Sequence, residues 1–298
     1  MIFKHASILF FTLVVLSHAV MAEKPAPTHA NVSYGSHERN VFDIWITPSD
    51  NPTPLVIYIH GGGFRKGDKN TITEDSLKQF QEAGLSVAAI HYRLSGTGPY
   101  PIMMEDAARC LQTIRSRAKE WNLDADKVAC YGGSAGAGIS LWLGFHEDLA
   151  DPKSDDPVLR QSSRVCGAVA MGGQTTLDPF LLKKKIGPAC IRHGMIWKTV
   201  GAKSIEDLMG NWDQYKELSL ECSPITHVSK DDPPVFLNYG KPAPTPVIKG
   251  DGIHHAGFGR LLKTKCKKMG TECYLQVKGH EIPKLTKDNF LKKIFSIQ

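Results

Sequence analysis

The chain has 298 residues, of which 42% are hydrophobic and 22% charged, with 27 Gly and 18 Pro. These proportions are ordinary for a globular protein and exclude a coiled coil, a collagen-like fibre, a disordered tail and a protein of many membrane spans. The net charge of +6 is a mild excess. Its late lysine clusters, Lys183–Lys185 and Lys263–Lys268, read as solvated helix faces, and with no recognisable module beside them no nucleic-acid partner is expected.

The first residues carry a targeting pattern. Lys4 precedes an apolar run from Ile8 to Leu16, and Val20-Met21-Ala22 matches a small-x-small cleavage site, with Ser17-His18-Ala19 as a second candidate. Residues 1–22 are therefore expected to be a secretory signal peptide. The apolar run falls short of the ~20 residues of a comfortable span. The mature protein, 23–298, is expected as one domain, secreted or periplasmic, with no membrane span.

Beyond it, strands and helices alternate. Asn40–Ile46 alternates apolar and polar residues and suggests an early strand. Leu55–Ile59 (LVIYI) is a continuous apolar run, as expected of a strand buried on both faces. Helical spacing predicts a helix over Glu74–Ala83, stopped by Gly84, then a strand over Leu85–Ile90 and a long helix over Pro101–Trp121. Lys127–Tyr131 is a strand, followed by a helix from about Ala135 to Asp148, and Val165–Met171 is a further strand. Residues 174–222 break the alternation and read as an inserted lid or cap. Pro234–Tyr239 is a strand, Lys241–Gly250 a Pro-rich loop, His254–Met269 a helix, Glu272–Val277 a strand and Pro283–Phe295 a final helix. Repeated strand–helix units imply an α/β fold with a mostly parallel sheet covered on both faces.

Two glycine motifs sit at the ends of predicted strands. Gly132-Gly133-Ser134-Ala135-Gly136 follows one strand and opens a helix, the context a G-x-S-x-G nucleophile elbow requires. A serine on that sharp turn has its hydroxyl pushed out above the sheet, beside the positive end of a helix. His60-Gly61-Gly62-Gly63-Phe64 directly follows the strand Leu55–Ile59. No Gly-Lys-Ser/Thr follows those glycines, so they do not read as a phosphate cradle.

Together the motifs resemble the α/β-hydrolase superfamily of esterases and lipases, in the branch that carries an HGGG loop (hormone-sensitive-lipase-like and carbohydrate-esterase-like members). Tyr92-Arg93-Leu94 and Tyr100-Pro101 leading to Glu105-Asp106-Ala107 are also similar to that branch, and the likeness runs from about Val41 to Phe295. The resemblance implies an oxyanion hole made by the backbone N–H groups of Gly62, Gly63 and Ala135, with His60 orienting the loop. It implies Ser134 as nucleophile and, in the chain order Ser, acid, His, His280 as base, after the last strand. No carboxylate follows the strand ending at Tyr239 until Asp251, which is the expected acid. His254 and His255 read as first-turn helix residues or pocket neighbours. With Asp251 they lack the i, i+4 pair of a helical metal site, so no metal is expected, and the chemistry needs no cofactor.

The seven cysteines include no CxxC pair, which argues against a zinc or thioredoxin site. Export permits disulfides, and Cys190 with Cys222, both in the insertion, is the first pairing to test. The expected activity is hydrolysis of a carboxylic ester through an acyl-enzyme. The expected partner is a small-molecule or polysaccharide ester, with acetylated or feruloylated polysaccharides leading by resemblance. Two alternatives stand beside it: a serine peptidase of the same fold, and a non-catalytic binding protein on this scaffold.

Overall fold

The computed structural model describes residues 24–240, 244–248 and 252–297. The expected signal peptide and Asp251 lie outside the described residues.

Eight strands form one sheet in the order β1-β2-β4-β3-β5-β6-β7-β8. They are β1 (His29–Ser33), β2 (Val41–Trp45), β3 (Thr53–Ile59), β4 (Ser86–Ile90), β5 (Leu123–Gly133), β6 (Gly167–Met171), β7 (Val235–Tyr239) and β8 (Cys273–Val277). β1 and β2 run antiparallel to their neighbours, and the rest of the sheet is parallel. The apolar run in β3 lies at the centre, between β4 and β5, with Leu55, Val56, Ile57 and Ile59 at 0–1% exposure. A strand covered on both faces has no solvent side, so its sequence is continuously apolar rather than alternating. β1 was not legible in the sequence because it is a short, largely exposed edge strand with little apolar pattern, held by its pairing with β2 more than by burial.

Helices flank the sheet: α1 (Glu74–Glu82), α2 (Ile102–Ser116) and α3 (Ala135–Phe145) before β6, and α9 (Gly257–Met269) and α10 (Lys287–Phe295) near the end. α3 is buried along its whole length, which is why it carries no amphipathic stripe. α2 ends five residues before the predicted Trp121, as residues 117–118 bond three residues back instead of four. α10 begins at Lys287, capped by the Thr286 hydroxyl, which accepts from the Asn289 N–H. Pro283 therefore lies in a loop and not in the first helical turn. No helix among the described residues is long and apolar enough to cross a membrane.

Between β6 and β7 the chain folds into α4 (Pro179–Lys185), α5 (Met195–Lys198), α6 (Ile205–Gly210), α7 (Trp212–Glu221) and α8 (Pro224–His227). Their apolar residues join the main core: Leu182, Ile196, Leu208 and Cys222 are all buried. Trp197 and Trp212 are half-buried and pack against that core, so they fill space in it. Cys222 is a free thiol, and the expected Cys190–Cys222 bridge is not formed. Cys190 Sγ instead lies 3.3 Å from the Gly252 carbonyl oxygen.

Candidate active site

Ser134 stands between β5 and α3 with φ 53° and ψ −119°. A positive φ is costly for a non-glycine residue and is held only where the surroundings over-determine it. Two constraints do so here. The Ser134 N–H donates to the Met171 carbonyl at 2.9 Å, fixing the turn to the end of β6. The flanking glycines let the turn close: a Cβ on Gly136 would stand 2.0 Å from the Ile59 carbonyl oxygen, and one on Gly132 would stand 2.4 Å from the Gly136 backbone. The glycines at these positions thus follow from backbone packed against backbone.

The oxyanion loop lies beside it, after β3. A Cβ on Gly61 would come 3.3 Å from the Ser134 Cβ, which places the loop against the nucleophile. Gly62 has φ 114°, and a side chain there would strike the Lys66 carbonyl at 1.9 Å. Among the described residues no protein acceptor takes the N–H of Gly62, Gly63 or Ala135, so all three remain available to an incoming oxyanion. His193, after the 3-10 turn that follows α4, adds a ring over this loop. Its Cε1 would lie 3.1 Å from a Cβ on Gly63, a neighbour that no short-range sequence pattern announces.

His60 orients the loop from beneath. Its ring is buried and stacks on Tyr92 at 4.3 Å, and the Tyr92 hydroxyl donates to the His60 carbonyl at 2.9 Å. Arg39 Nη2 lies 3.1 Å from His60 Nε2, 3.0 Å from the Gly67 carbonyl and 3.1 Å from His91 Nδ1. Arginine can only donate, so His60 Nε2 accepts and Nδ1–H donates to the Gly61 carbonyl at 2.8 Å. Burial, reinforced by the Arg39 charge and His91, lowers the His60 pKa to about 4. It is therefore a neutral strut at ordinary pH.

The imidazole at the serine is that of His254, not the expected His280. His254 Nε2 lies 2.8 Å from Ser134 Oγ. α9 begins at Gly257, three residues later than predicted, so His254 sits in a turn and not on a helix face. The ring lies beside Gly172, which has φ 62°, a conformation that favours glycine: a Cβ there would stand 3.5 Å from His254 Cδ2, in ordinary contact. The segment is tied down on both sides. Gln174 Nε2 donates to the Ile253 carbonyl at 2.7 Å, and the Val247 and Ala189 N–H groups pair with the Ile186 and Val247 carbonyls at 2.8 and 2.9 Å. His255, the other residue of the pair, is buried, and its Nδ1 accepts from the Gly257 N–H at 3.0 Å.

His280 lies elsewhere because the chain after β8 folds straight back. Val277 and Glu281 exchange backbone hydrogen bonds at 2.9 and 3.0 Å, closing a tight turn over residues 278–280 with Gly279 at φ 74°. His280 is exposed on that turn. Its imidazole makes no hydrogen bond among the described residues. No described carboxylate is hydrogen-bonded to the His254 ring, and Asp251 lies outside the described residues.

A cleft of about 630 Å³ opens beside His254 at the C-terminal ends of β6, β7 and β8. Met171, Tyr239, Val277 and the 93% exposed Ile282 give it a largely apolar wall, into which Asn238, Gln276, Lys278 and Glu281 bring polar groups.

Residues 42–246, well over half of the chain, match the BD-FAE family. The chain belongs to the BD-FAE family. The matched span holds the glycine loop and the nucleophile elbow and ends before His254. Among curated proteins the BD-FAE chain is similar to the probable carboxylic ester hydrolase LipM of Mycobacterium tuberculosis, 28% identical over 71% of this chain and 47% of that protein. It is also similar to esterase LipI of the same organism, 32% identical over 31% of this chain and 29% of LipI. The chain thus spans about half the length of LipM or less of these relatives. Among solved structures it shares its fold with an acetyl ester-xyloside bifunctional hydrolase from Caldicellulosiruptor lactoaceticus (TM-score 0.68, 20% identity, 91% of this chain and 96% of that one). A truncated carbohydrate esterase from gut microbiota is equally similar (TM-score 0.68, 19% identity, 92% and 99%). The fold is that of an α/β-hydrolase.

Proposed function

We propose that this protein is a serine carboxylic-ester hydrolase with Ser134 as nucleophile and His254 as its base. The 2.8 Å contact between Ser134 Oγ and His254 Nε2 carries the reading. Ser134 Oγ attacks the ester carbonyl while its proton passes to His254 Nε2. The N–H groups of Gly62, Gly63 and Ala135 receive the oxyanion. The intermediate collapses, and His254 returns the proton to the leaving alkoxide. Water, activated by the same imidazole, then releases the acid and restores the serine. Asp251, three residues before His254, is proposed as the acid that holds the imidazole. Its support is its place in the chain, which keeps the order serine, acid, histidine.

The proposed substrates are short-chain acyl esters of carbohydrates, acetylated or feruloylated polysaccharides first. The mixed wall of the cleft supports this: Asn238, Gln276, Lys278 and Glu281 offer donors and acceptors to a hydroxyl-rich alcohol, beside an apolar surface against which an acyl group or a sugar face can lie. The structural likeness to an acetyl ester-xyloside bifunctional hydrolase and to a carbohydrate esterase also favours it. The segment from α4 to α8 is proposed as the cap over this cleft. The proposed location is secreted or periplasmic, on the strength of Lys4, the apolar run and the Ala22 cleavage pattern.

The test is labelling by a fluorophosphonate probe with turnover of p-nitrophenyl acetate and acetylated xylan. Ser134→Ala is expected to abolish labelling and to lower kcat by roughly 10⁴-fold or more, with an unchanged melting temperature. An unlabelled, inactive wild-type protein would leave the binding-scaffold alternative in place instead.

A further inference from the structure

At the far end of α3 from the nucleophile, three side chains converge that the proposed hydrolysis does not use. His146 follows α3, Glu221 ends α7 and His227 ends α8. His146 Nε2 lies 3.1 Å from Glu221 Oε1, and His227 Nε2 lies 4.0 Å from the same oxygen. One donor atom from each residue falls within 4.8 Å of the others, and all three residues are half-buried. α3 spans 11 residues, so the cluster stands roughly 16 Å along the helix from Ser134.

We propose that His146, Glu221 and His227 form a binding site for one divalent transition-metal ion of the zinc class. The arrangement of His146 argues for it. Its Nδ1 lies 2.9 Å from the Glu147 carbonyl, which can only accept, so Nδ1 carries the proton. Nε2, the other ring nitrogen, faces Glu221. A backbone carbonyl on the remote ring nitrogen is the usual way a metal-binding histidine is oriented. Trp142 adds rigidity: its ring stacks on His146 at 4.0 Å and its Nε1–H donates to the Glu221 carbonyl at 3.1 Å. Glu221 is thereby held from its backbone while its carboxylate faces the imidazole.

The spacing fits. Ligands at about 2.0–2.2 Å in tetrahedral array stand roughly 3.3–3.5 Å apart, close to the His146–Glu221 separation. His227 Nε2–H donates to the Glu221 carbonyl at 2.6 Å, so to bind the ion the ring moves inward, gives up that hydrogen bond and passes the Nε2 proton to Nδ1 or to solvent. Two imidazoles and one carboxylate with a solvent-side fourth position suit zinc better than calcium or magnesium, which prefer all-oxygen sets. The ion would tie the end of α3, the helix that positions Ser134, to α7 and α8.

The experiment titrates zinc into the full chain after dialysis against EDTA, by calorimetry at about pH 7.5, since metal binding requires deprotonated ligands. One equivalent is expected to bind saturably, and zinc at about 100 times Kd is expected to raise the melting temperature by about 5 °C or more. His146→Phe keeps the stacking on Trp142, and Glu221→Gln keeps the backbone hydrogen bonds. Each is expected to weaken binding by at least about 100-fold and to cancel the zinc-dependent melting shift. His254→Gln is expected to bind zinc as the wild type does. No saturable binding overturns the proposal. So does affinity that survives in Glu221→Gln, or binding that His254→Gln removes, which would place the ion at the nucleophile instead.

Discussion

Ser134 holds its positive φ because the strand, the helix and the glycines on either side leave no other path, and that strain presents its hydroxyl to one imidazole. The contact made is with His254. The variant pair that separates the two histidines is therefore decisive for the proposed chemistry. His254→Gln is expected to lower kcat by about 10⁴-fold or more. His280→Gln, on an exposed turn, is expected to leave it within roughly twofold. Steady-state kinetics on p-nitrophenyl acetate checks both, and the opposite ranking would restore His280 as the base. Asp251→Asn is expected to cost up to roughly 10⁴-fold in kcat, through a misplaced or wrongly protonated imidazole. At this scale the elbow turn that carries Ser134 was legible in the sequence because its glycine motif lies within five consecutive residues, although Ile59 and Met171 complete it. Which imidazole meets Ser134 was not: both histidines follow Asp251, and the residues around them do not say which loop folds inward.

The elements that matter most are the segments which hold His254 and the oxyanion loop. The α4–α8 segment reads in the sequence only as a break in the alternation, since its helices are short and its contacts distant. In the folded chain it meets the His254 segment through the pairing of Ile186 and Ala189 with Val247 and the contact of Cys190 with the Gly252 carbonyl. Just before it, Gln174 reaches the Ile253 carbonyl. Gln174→Ala is expected to reduce kcat by roughly 10- to 100-fold, since small misplacements of a catalytic group are costly. KM should change little and the fluorophosphonate should still label, more slowly. Measured kcat equal to wild type would show that the other anchors suffice. Beneath the oxyanion loop, Arg39, His60 and Tyr92 play the matching part. His60 was legible as an orienting residue from its motif, whereas Arg39, 21 residues earlier, carried no signal.

For the whole molecule, the buried neutral His60 ties stability to pH. An unfolded histidine takes up a proton near pH 6.5, whereas folded His60 does so only near 4. Between those values the unfolded state binds more protons, so the contribution is fully present above about pH 6.5 and is lost as pH falls toward 4, by up to about 3 kcal/mol. Urea midpoints at several pH values should fall over that window in the wild type and fall less in His60→Gln. An identical slope in both proteins would show that other groups govern the acid response. The alternating apolar runs were enough to establish the α/β architecture, the central buried strand and the two glycine motifs, because each depends on neighbours a few residues away. The edge strand β1, the anchoring of the His254 segment, the His146–Glu221–His227 cluster and the contact of His254 rather than His280 with Ser134 were decided only when distant segments packed together. Contacts between residues far apart in the chain obey no fixed spacing, so no local pattern could have announced them.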